Sequence, residues 1–212
     1  MFHIYYHPLS FPSLAPVFTA SAMNADYQLH LVDLANGEQS SAEYLAINPF
    51  GKVPAMKNDN VSIGESAAIM RYMARKSNSD LYPQNDVAAQ AKVDQWVDYV
   101  NHHVRGPVAR VHFNRKLAPL FGLEPDLDAI ATGEKMLEAN LPILEKTLSE
   151  TAFLCGETMS LADVALVAAL EPVEMSNIDM SAYKTLSAWR TARRSEAFYT
   201  KVHSHYGAEL DL

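Results

Sequence analysis

The chain has 212 residues with 49% hydrophobic and 20% charged side chains, a balance that fits one or two globular domains and excludes a disordered chain. Its 25 acidic and 17 basic side chains leave a net charge of −8, which repels a phosphate backbone and argues against nucleic acid as a partner. A single cysteine, Cys155, excludes an intramolecular disulfide and a zinc site built from several cysteines. Residues 2–6 are aromatic and β-branched and read as a strand, stopped by Pro8 and Pro12. Residues 17–23 are apolar and alanine-rich, a helix ended near Asn24. Residues 28–32 alternate as a second strand. A short helix is expected over 41–47, closed by Asn48-Pro49-Phe50-Gly51. Residues 53–56 and 61–63 flank 57–60 as a hairpin. Residues 67–75 form a helix with Arg71, Arg75 and Lys76 toward its C-terminal end, where cations suit the dipole.

This β-α-β-α-β-β-α order covers residues 1–77, and the polar, turn-rich run 77–83 reads as a linker. From 86 to 212 strand signals vanish. A long helix is expected over 86–104, with Gly106-Pro107 breaking or kinking it. Further helices are expected over 128–149, 161–173, 182–193 and 195–206. No internal repeat is present. The start Met1-Phe2-His3-Ile4-Tyr5 lacks the basic, then apolar, pattern of a secretory leader. No apolar run approaches the roughly 18 residues that span a bilayer. With one cysteine, a cytoplasmic protein is expected.

Four segments carry chemistry or capping. In Tyr6-His7-Pro8-Leu9-Ser10-Phe11-Pro12-Ser13 a hydroxyl sits where a strand gives way to a helix. Serine before a helix is more often a cap than a catalyst. Pro16 decides which serine caps: with Ser13 as cap it falls at the third helical position and loses no bond. Ser10 is then left outside the helix, free to donate to an anion such as a thiolate. In Asn48-Pro49-Phe50-Gly51-Lys52-Val53-Pro54-Ala55, a cis Val53-Pro54 bond turns the backbone of Val53 outward toward a peptide-like ligand; a trans turn is the commoner outcome. In Gly64-Glu65-Ser66-Ala67, a hydroxyl and free N–H groups open a helix, a carboxylate site or a routine cap. Ser160-Leu161-Ala162-Asp163 has capping-box spacing and reads as structural.

These four segments, in this order, resemble the glutathione transferase family, and the resemblance covers nearly the whole chain. Ser-Phe-Pro-Ser after Tyr-Tyr-His-Pro-Leu is similar to the serine-type (theta, delta and phi-like) classes. The resemblance implies an α+β, thioredoxin-like N-terminal domain over 1–77 and an all-α domain over 86–212. It implies an enzyme that conjugates glutathione to hydrophobic electrophiles or reduces organic hydroperoxides. Ser10 maps to the activating serine. Val53 and cis Pro54 map to the segment that pairs with the cysteinyl backbone, and Glu65 and Ser66 to the γ-glutamyl segment. The phi-like run Gly-Glu-His-Lys reads Gly37-Glu38-Gln39-Ser40 here, so Gln39 meets the glycyl carboxylate without charge and Lys52 supplies the cation. Tyr6 is the rival activating hydroxyl, but its place inside a strand favours packing. The electrophile pocket is expected between the domains, with Leu9, Phe11, His102, Arg105, Arg110 and Phe113 as candidate walls. Glutathione is the expected co-substrate, with no metal and no membrane, and the family pairs as homodimers. The alternative is a non-catalytic ligand-binding or regulatory protein of the same fold. Cys155 is expected to be a buried small hydrophobe, and with no cysteine at positions 10 to 13 cysteine-type chemistry is disfavoured.

Overall fold

In the computed structural model, which describes residues 1–207, the chain folds into two compact units. One holds residues 1–87 and the segment from Ser195, and the other holds Ala88–Arg194. The first unit is built on a four-stranded sheet in the order β2-β1-β3-β4. Strand β1 (Phe2–Tyr6) is parallel to β2 (Tyr27–Leu31) and antiparallel to β3 (Ala55–Asn58), which pairs in turn with β4 (Val61–Gly64). The hairpin turn is tighter than the four residues expected. Asn58 pairs with Val61, and only Asp59 and Asn60 turn, Asp59 at φ 51°.

Alternation along β1 buries Phe2, Ile4 and Tyr6 on one face. Helix α1 (Leu14–Ala22) follows β1 and the short helix α2 (Ala42–Leu45) follows β2; α1 is buried over nearly its whole length and packs against α3 (Ser66–Lys76) and α10 (Ala197–His203). The contact with α10 is aromatic. Phe18 meets Phe198 edge-on at 5.9 Å and stacks on Tyr199 at 5.3 Å between centroids. Such pairs contribute about 0.5–1.5 kcal/mol each beyond area burial. The last helix therefore packs with the first unit rather than with the helices expected to share residues 86–212. The expected linker is also anchored in this unit: Leu81 and Tyr82 are buried, and Arg75 donates from Nη2 to the Tyr82 hydroxyl at 2.9 Å.

The second unit is helical. Its first helical stretch crosses Gly106-Pro107 without the expected break. Helix α4 (Val87–Tyr99) runs through a π-helical turn (Val100–Arg105) into α5 (Gly106–His112). A second π turn (Phe113–Leu117) leads into α6 (Ala118–Leu120). The Gly106 N–H bonds five residues back to Asn101. The ladder thus shifts register where Pro107 has no N–H to give, and the wider turn absorbs the proline. Helix α7 (Leu127–Glu150), capped by the Asp126 carboxylate at Ala129 N–H (2.8 Å), lies against α5. Gly133 permits the approach: a Cβ there would sit 2.7 Å from a Val111 methyl and 3.1 Å from the Pro107 carbonyl. Helix α8 (Leu161–Ala169) is buried throughout and apolar on every side apart from Asp163 in its first turn. It ends short of the expected residue 173 because Pro172 follows. Helix α9 (Lys184–Arg194) is capped from a distance. Glu145 of α7 accepts N–H bonds from Thr185 (2.8 Å) and Leu186 (2.7 Å). Burial works against that carboxylate's charge, but the two N–H bonds win and hold it below the usual range. Among the described residues no helix is long and apolar enough to cross a membrane.

Candidate active site

The chain leaves β1 at Tyr6 and makes a turn before a 3₁₀ segment (Phe11–Ser13) that runs directly into α1. Ser10 closes that turn. Its N–H donates to the His7 carbonyl at 2.9 Å and its own carbonyl accepts from Ser13 N–H at 2.8 Å, while its hydroxyl makes no capping bond. His7 also accepts the Leu9 N–H at Nδ1, 3.2 Å away. Burial pushes the His7 imidazole down from its ordinary value, partly opposed by the Asp33 carboxylate.

Ser13 occupies the cap position of α1, with Pro16 at the third helical residue, but its hydroxyl does not cap. An N-cap hydroxyl accepts from the N2 or N3 N–H. Here N3 is a proline, and the 3₁₀ turn holds Ser13 at helical φ −72°, ψ −23°. Its Oγ is buried with no partner. Tyr6, the rival donor, is fully buried, with its ring 5.1 Å from that of Tyr206.

The Val53-Pro54 peptide bond is cis. Val53 lies before the first ladder residue of β3, so its N–H and C=O stand outside the sheet. The loop ahead of it is fixed by a residue whose role the sequence did not disclose. Buried Asn48 donates from Nδ2 to the Lys52 carbonyl at 2.6 Å, and its Oδ1 accepts the Phe50 N–H at 3.2 Å. The Tyr44 hydroxyl donates to the same Lys52 carbonyl at 2.7 Å, and burial first of all pushes that phenol up to about 12. The Lys52 side chain is exposed. Gln39 lies beside this loop, its carbonyl 3.1 Å from where a Cβ on Gly51 would stand. Its Oε1 is buried without a partner.

At the start of α3, Glu65 is exposed at φ 63°, ψ 115°, a conformation an L residue adopts at a cost of about 1–3 kcal/mol. Beside it, the Ser66 hydroxyl donates to the Pro12 carbonyl at 2.8 Å. That bond ties α3 to the segment that carries Ser10. It also commits the hydroxyl proton, leaving the first backbone N–H groups of an eleven-residue helix as the donors for a carboxylate. The fold thus gathers Ser10, Gln39, Lys52, Val53, Pro54, Glu65 and Ser66 within one unit.

The expected pocket residues are spread over both units. Leu9 is 39% exposed and Phe11 partly buried, flanking Ser10 in the first unit. In the second, His102 and Arg110 are exposed, Arg105 donates from Nε to Asn101 Oδ1 at 3.0 Å, and Phe113 is 43% exposed. Cys155 is half-buried rather than buried, and burial pushes its thiol up from its ordinary value, away from thiolate chemistry. Among the described residues no group of three or more His, Cys, Asp or Glu side chains is placed to hold a metal ion.

A thioredoxin-like unit with a cis proline ahead of β3, and a second unit that is helical, are the architecture of the glutathione-handling transferases. The sequence matches the family model "Glutathione S-transferase, N-terminal domain" over residues 1–75. It matches "Glutathione S-transferase, C-terminal domain" over residues 96–196. It is 34% identical to glutathione S-transferase F10 of Arabidopsis thaliana over 208 residues, 95% of this chain and 96% of that protein. It is 31% identical to mouse glutathione S-transferase theta-1 over 212 residues, 98% of this chain and 84% of the relative. The crystal structure of glutathione transferase F7 from Populus trichocarpa superposes with a TM-score of 0.88 at 29% identity, covering 96% of this chain and 98% of that one. The chain belongs to the glutathione S-transferase family.

Proposed function

We propose that this enzyme conjugates the thiolate of glutathione to small hydrophobic electrophiles and that Ser10 is the hydroxyl that holds the thiolate. The carrying observation is a serine hydroxyl that makes no capping bond, on a turn fixed at both backbone ends. Leu9 and Phe11 on either side supply an apolar surface for the electrophile. Glutathione lies with its cysteinyl backbone along Val53, its γ-glutamyl carboxylate at the start of α3 and its ammonium near Glu65. Gln39 and Lys52 serve the glycyl end.

A free thiol titrates near pH 8.5, so it is mostly protonated at neutral pH. Lowering that by two units takes about 2.7 kcal/mol of preference for the thiolate. A hydrogen bond from Ser10 to the charged sulfur contributes about 1.5–3 kcal/mol. The α1 dipole contributes less, because a 3₁₀ turn separates Ser10 from Leu14 and the effect fades within a turn. The hydroxyl therefore carries most of the activation. It keeps its proton throughout: the sulfur forms a bond to the electrophilic carbon, and the leaving group departs with the electron pair of the broken bond.

Replacing Ser10 by Ala tests this reading. Turnover with a chromogenic halonitroarene is expected to fall by about one to two decades, matching the loss of a charge-assisted bond. Ultraviolet difference spectra should show the bound thiol titrating at higher pH, while glutathione still binds. Unchanged turnover together with an unchanged thiol titration rules Ser10 out. A homodimer and a reducing, cytoplasmic setting belong to the same proposal, the second supported by a single cysteine whose thiol burial pushes up from its ordinary value. Sedimentation at equilibrium reads the first, and a monomer at micromolar concentration ends it.

A further inference from the structure

His7 holds the Ser10 turn at two points, through atoms of different chemistry. Its carbonyl accepts the Ser10 N–H at 2.9 Å, and its Nδ1 accepts the Leu9 N–H at 3.2 Å. The second bond is the imidazole counterpart of an Asx turn, in which a side-chain acceptor takes the N–H two residues on. Pro8 has no N–H, so Leu9 is the first residue after His7 able to donate in this way. The ring is not a surface group, for His7 is only 8% exposed.

Only one protonation state makes this bond. Neutral imidazole with its proton on Nε2 presents a lone pair at Nδ1, whereas the imidazolium presents N–H at both nitrogens. Protonation therefore sets a donor against the Leu9 donor and breaks the contact. Burial favours the neutral ring. The Asp33 carboxylate, from the loop after β2, pulls the other way. Tyr206, following α10, bonds the His7 carbonyl at 3.4 Å.

We infer that His7 is a positioning residue for the reaction: its neutral imidazole fixes the Pro8-Leu9-Ser10 turn, and its protonation in acid releases that turn and misplaces the Ser10 hydroxyl. The inference rests on the reading of Ser10 as the thiolate donor. Displacing a reacting group by about 1 Å is enough to cost up to 100-fold in rate, so a turn held by two bonds has kinetic leverage.

The test compares the full-length wild type with His7→Asn, His7→Ala and Ser10→Ala, measuring kcat at saturating glutathione between about pH 5 and pH 8. Asparagine keeps a side-chain acceptor for the Leu9 N–H but does not titrate. In wild type, log kcat should fall in acid with a slope approaching about two, one proton for the bound thiol and one for His7. In His7→Asn the slope should drop to about one, with neutral-pH kcat within about twofold of wild type. In His7→Ala, kcat should be lower by about three- to tenfold at every pH, the worth of one neutral hydrogen bond, with the KM for glutathione little changed. Circular dichroism melts confirm that each variant is folded. A His7→Asn variant that keeps the steep limb, or a His7→Ala variant with wild-type kcat, overturns His7 alone. A Ser10→Ala variant with wild-type kcat instead removes the hydroxyl reading, and the His7 inference with it.

Discussion

The two units each begin a helix at a serine, and the two serines are used differently. At the start of α8, Ser160 has its N–H and its hydroxyl both 2.8 Å from Asp163 Oδ2, and Oδ1 of the same carboxylate takes the Leu154 N–H at 2.9 Å. At the start of α1, the Ser10 hydroxyl makes no capping bond and the Ser13 hydroxyl is buried and unpaired. A hydrogen-bonding group whose capacity is fully used inside the fold serves stability. One left over is a cost, unless a ligand completes it. The contrast separates a serine hydroxyl spent inside the fold from one that is not better than the residue type or the local sequence does, because both segments read as serine before a helix.

The largest effect should come from the satisfied end of this comparison. Asp163 is fully buried, and burial raises its pKa against the pull of its hydrogen bonds. Replacing Asp163 by Ala strips three donors of their acceptor, and stability should fall by about 3–5 kcal/mol in a urea titration. Turnover per folded molecule should not change, since Asp163 belongs to Ala88–Arg194 and Ser10 does not. A loss below about 1 kcal/mol would show that water replaces the carboxylate and that this cap is not the anchor it resembles.

Gly133 gives a smaller effect of opposed terms. Alanine in a helix gains about 1 kcal/mol over glycine. Against that, the added methyl meets Val111 Cγ2 at 2.7 Å and the Pro107 carbonyl at 3.1 Å. The methyl can shift, but the carbonyl is backbone, and overpacking costs about 1–3 kcal/mol. Gly133→Ala should therefore lose roughly 1 kcal/mol net. A gain would mean that α5 and α7 have slack between them.

Acid should loosen the second unit through His112. It is 4% exposed, its Nδ1 lies 2.8 Å from the Ser176 hydroxyl, and its pKa is lowered by burial first and by Lys116 second. A histidine with a depressed folded pKa contributes stability that is present above its unfolded value of about 6.5 and is lost as pH falls through the folded value. Denaturant midpoints should thus fall below about pH 6.5, and His112→Asn should flatten that decline. If the variant and the wild type decline in parallel, the acid sensitivity arises elsewhere.

What was legible in the sequence follows from the range of the forces involved. The aromatic and β-branched run at residues 2–6, the alternation at 28–32, the hairpin around Asp59 and the helical pattern of α3 are local signals, and they place the thioredoxin-like elements to within a few residues. The capping box at Ser160 is local too, and its Asp163 carboxylate takes the Ser160 N–H as the spacing implies. The fit of α10 onto α1 was not legible, because Phe18 and Phe198 meet across most of the chain. The same holds for Glu145 capping α9 from forty residues away. At the candidate site, the helix start at Ser66 was legible in its own segment, whereas the residues around Pro54 favoured a trans bond and only the family resemblance implied the cis bond observed. Asn48 read only as the end of a short helix, and its two bonds to the loop 50–52 depend on burial that no motif announces. The π turns before and after α5 escaped because Pro107 signals a break, while a register shift satisfies the same missing N–H.

The finest test of the comparison is Ser13→Ala. At Ser160 the hydroxyl has an acceptor, so Ser160→Ala should cost about 1 kcal/mol, as caps do. At Ser13 the hydroxyl is fully buried and unpaired. Folding removes its water without returning a bond, a penalty of about 1–3 kcal/mol that alanine avoids. Against that gain stands the loss of one atom's packing contacts in a full interior, a fraction of a kcal/mol. The balance predicts that Ser13→Ala leaves the denaturant midpoint unchanged or raises it slightly, while Ser160→Ala lowers it. Measured side by side, the two variants carry the same chemical change at two helix starts, and only Ser160→Ala should lower the midpoint. If Ser13→Ala is destabilising by as much as Ser160→Ala, then Ser13 has a partner in solution, and an unpaired hydroxyl no longer distinguishes the first unit's helix start from the second's.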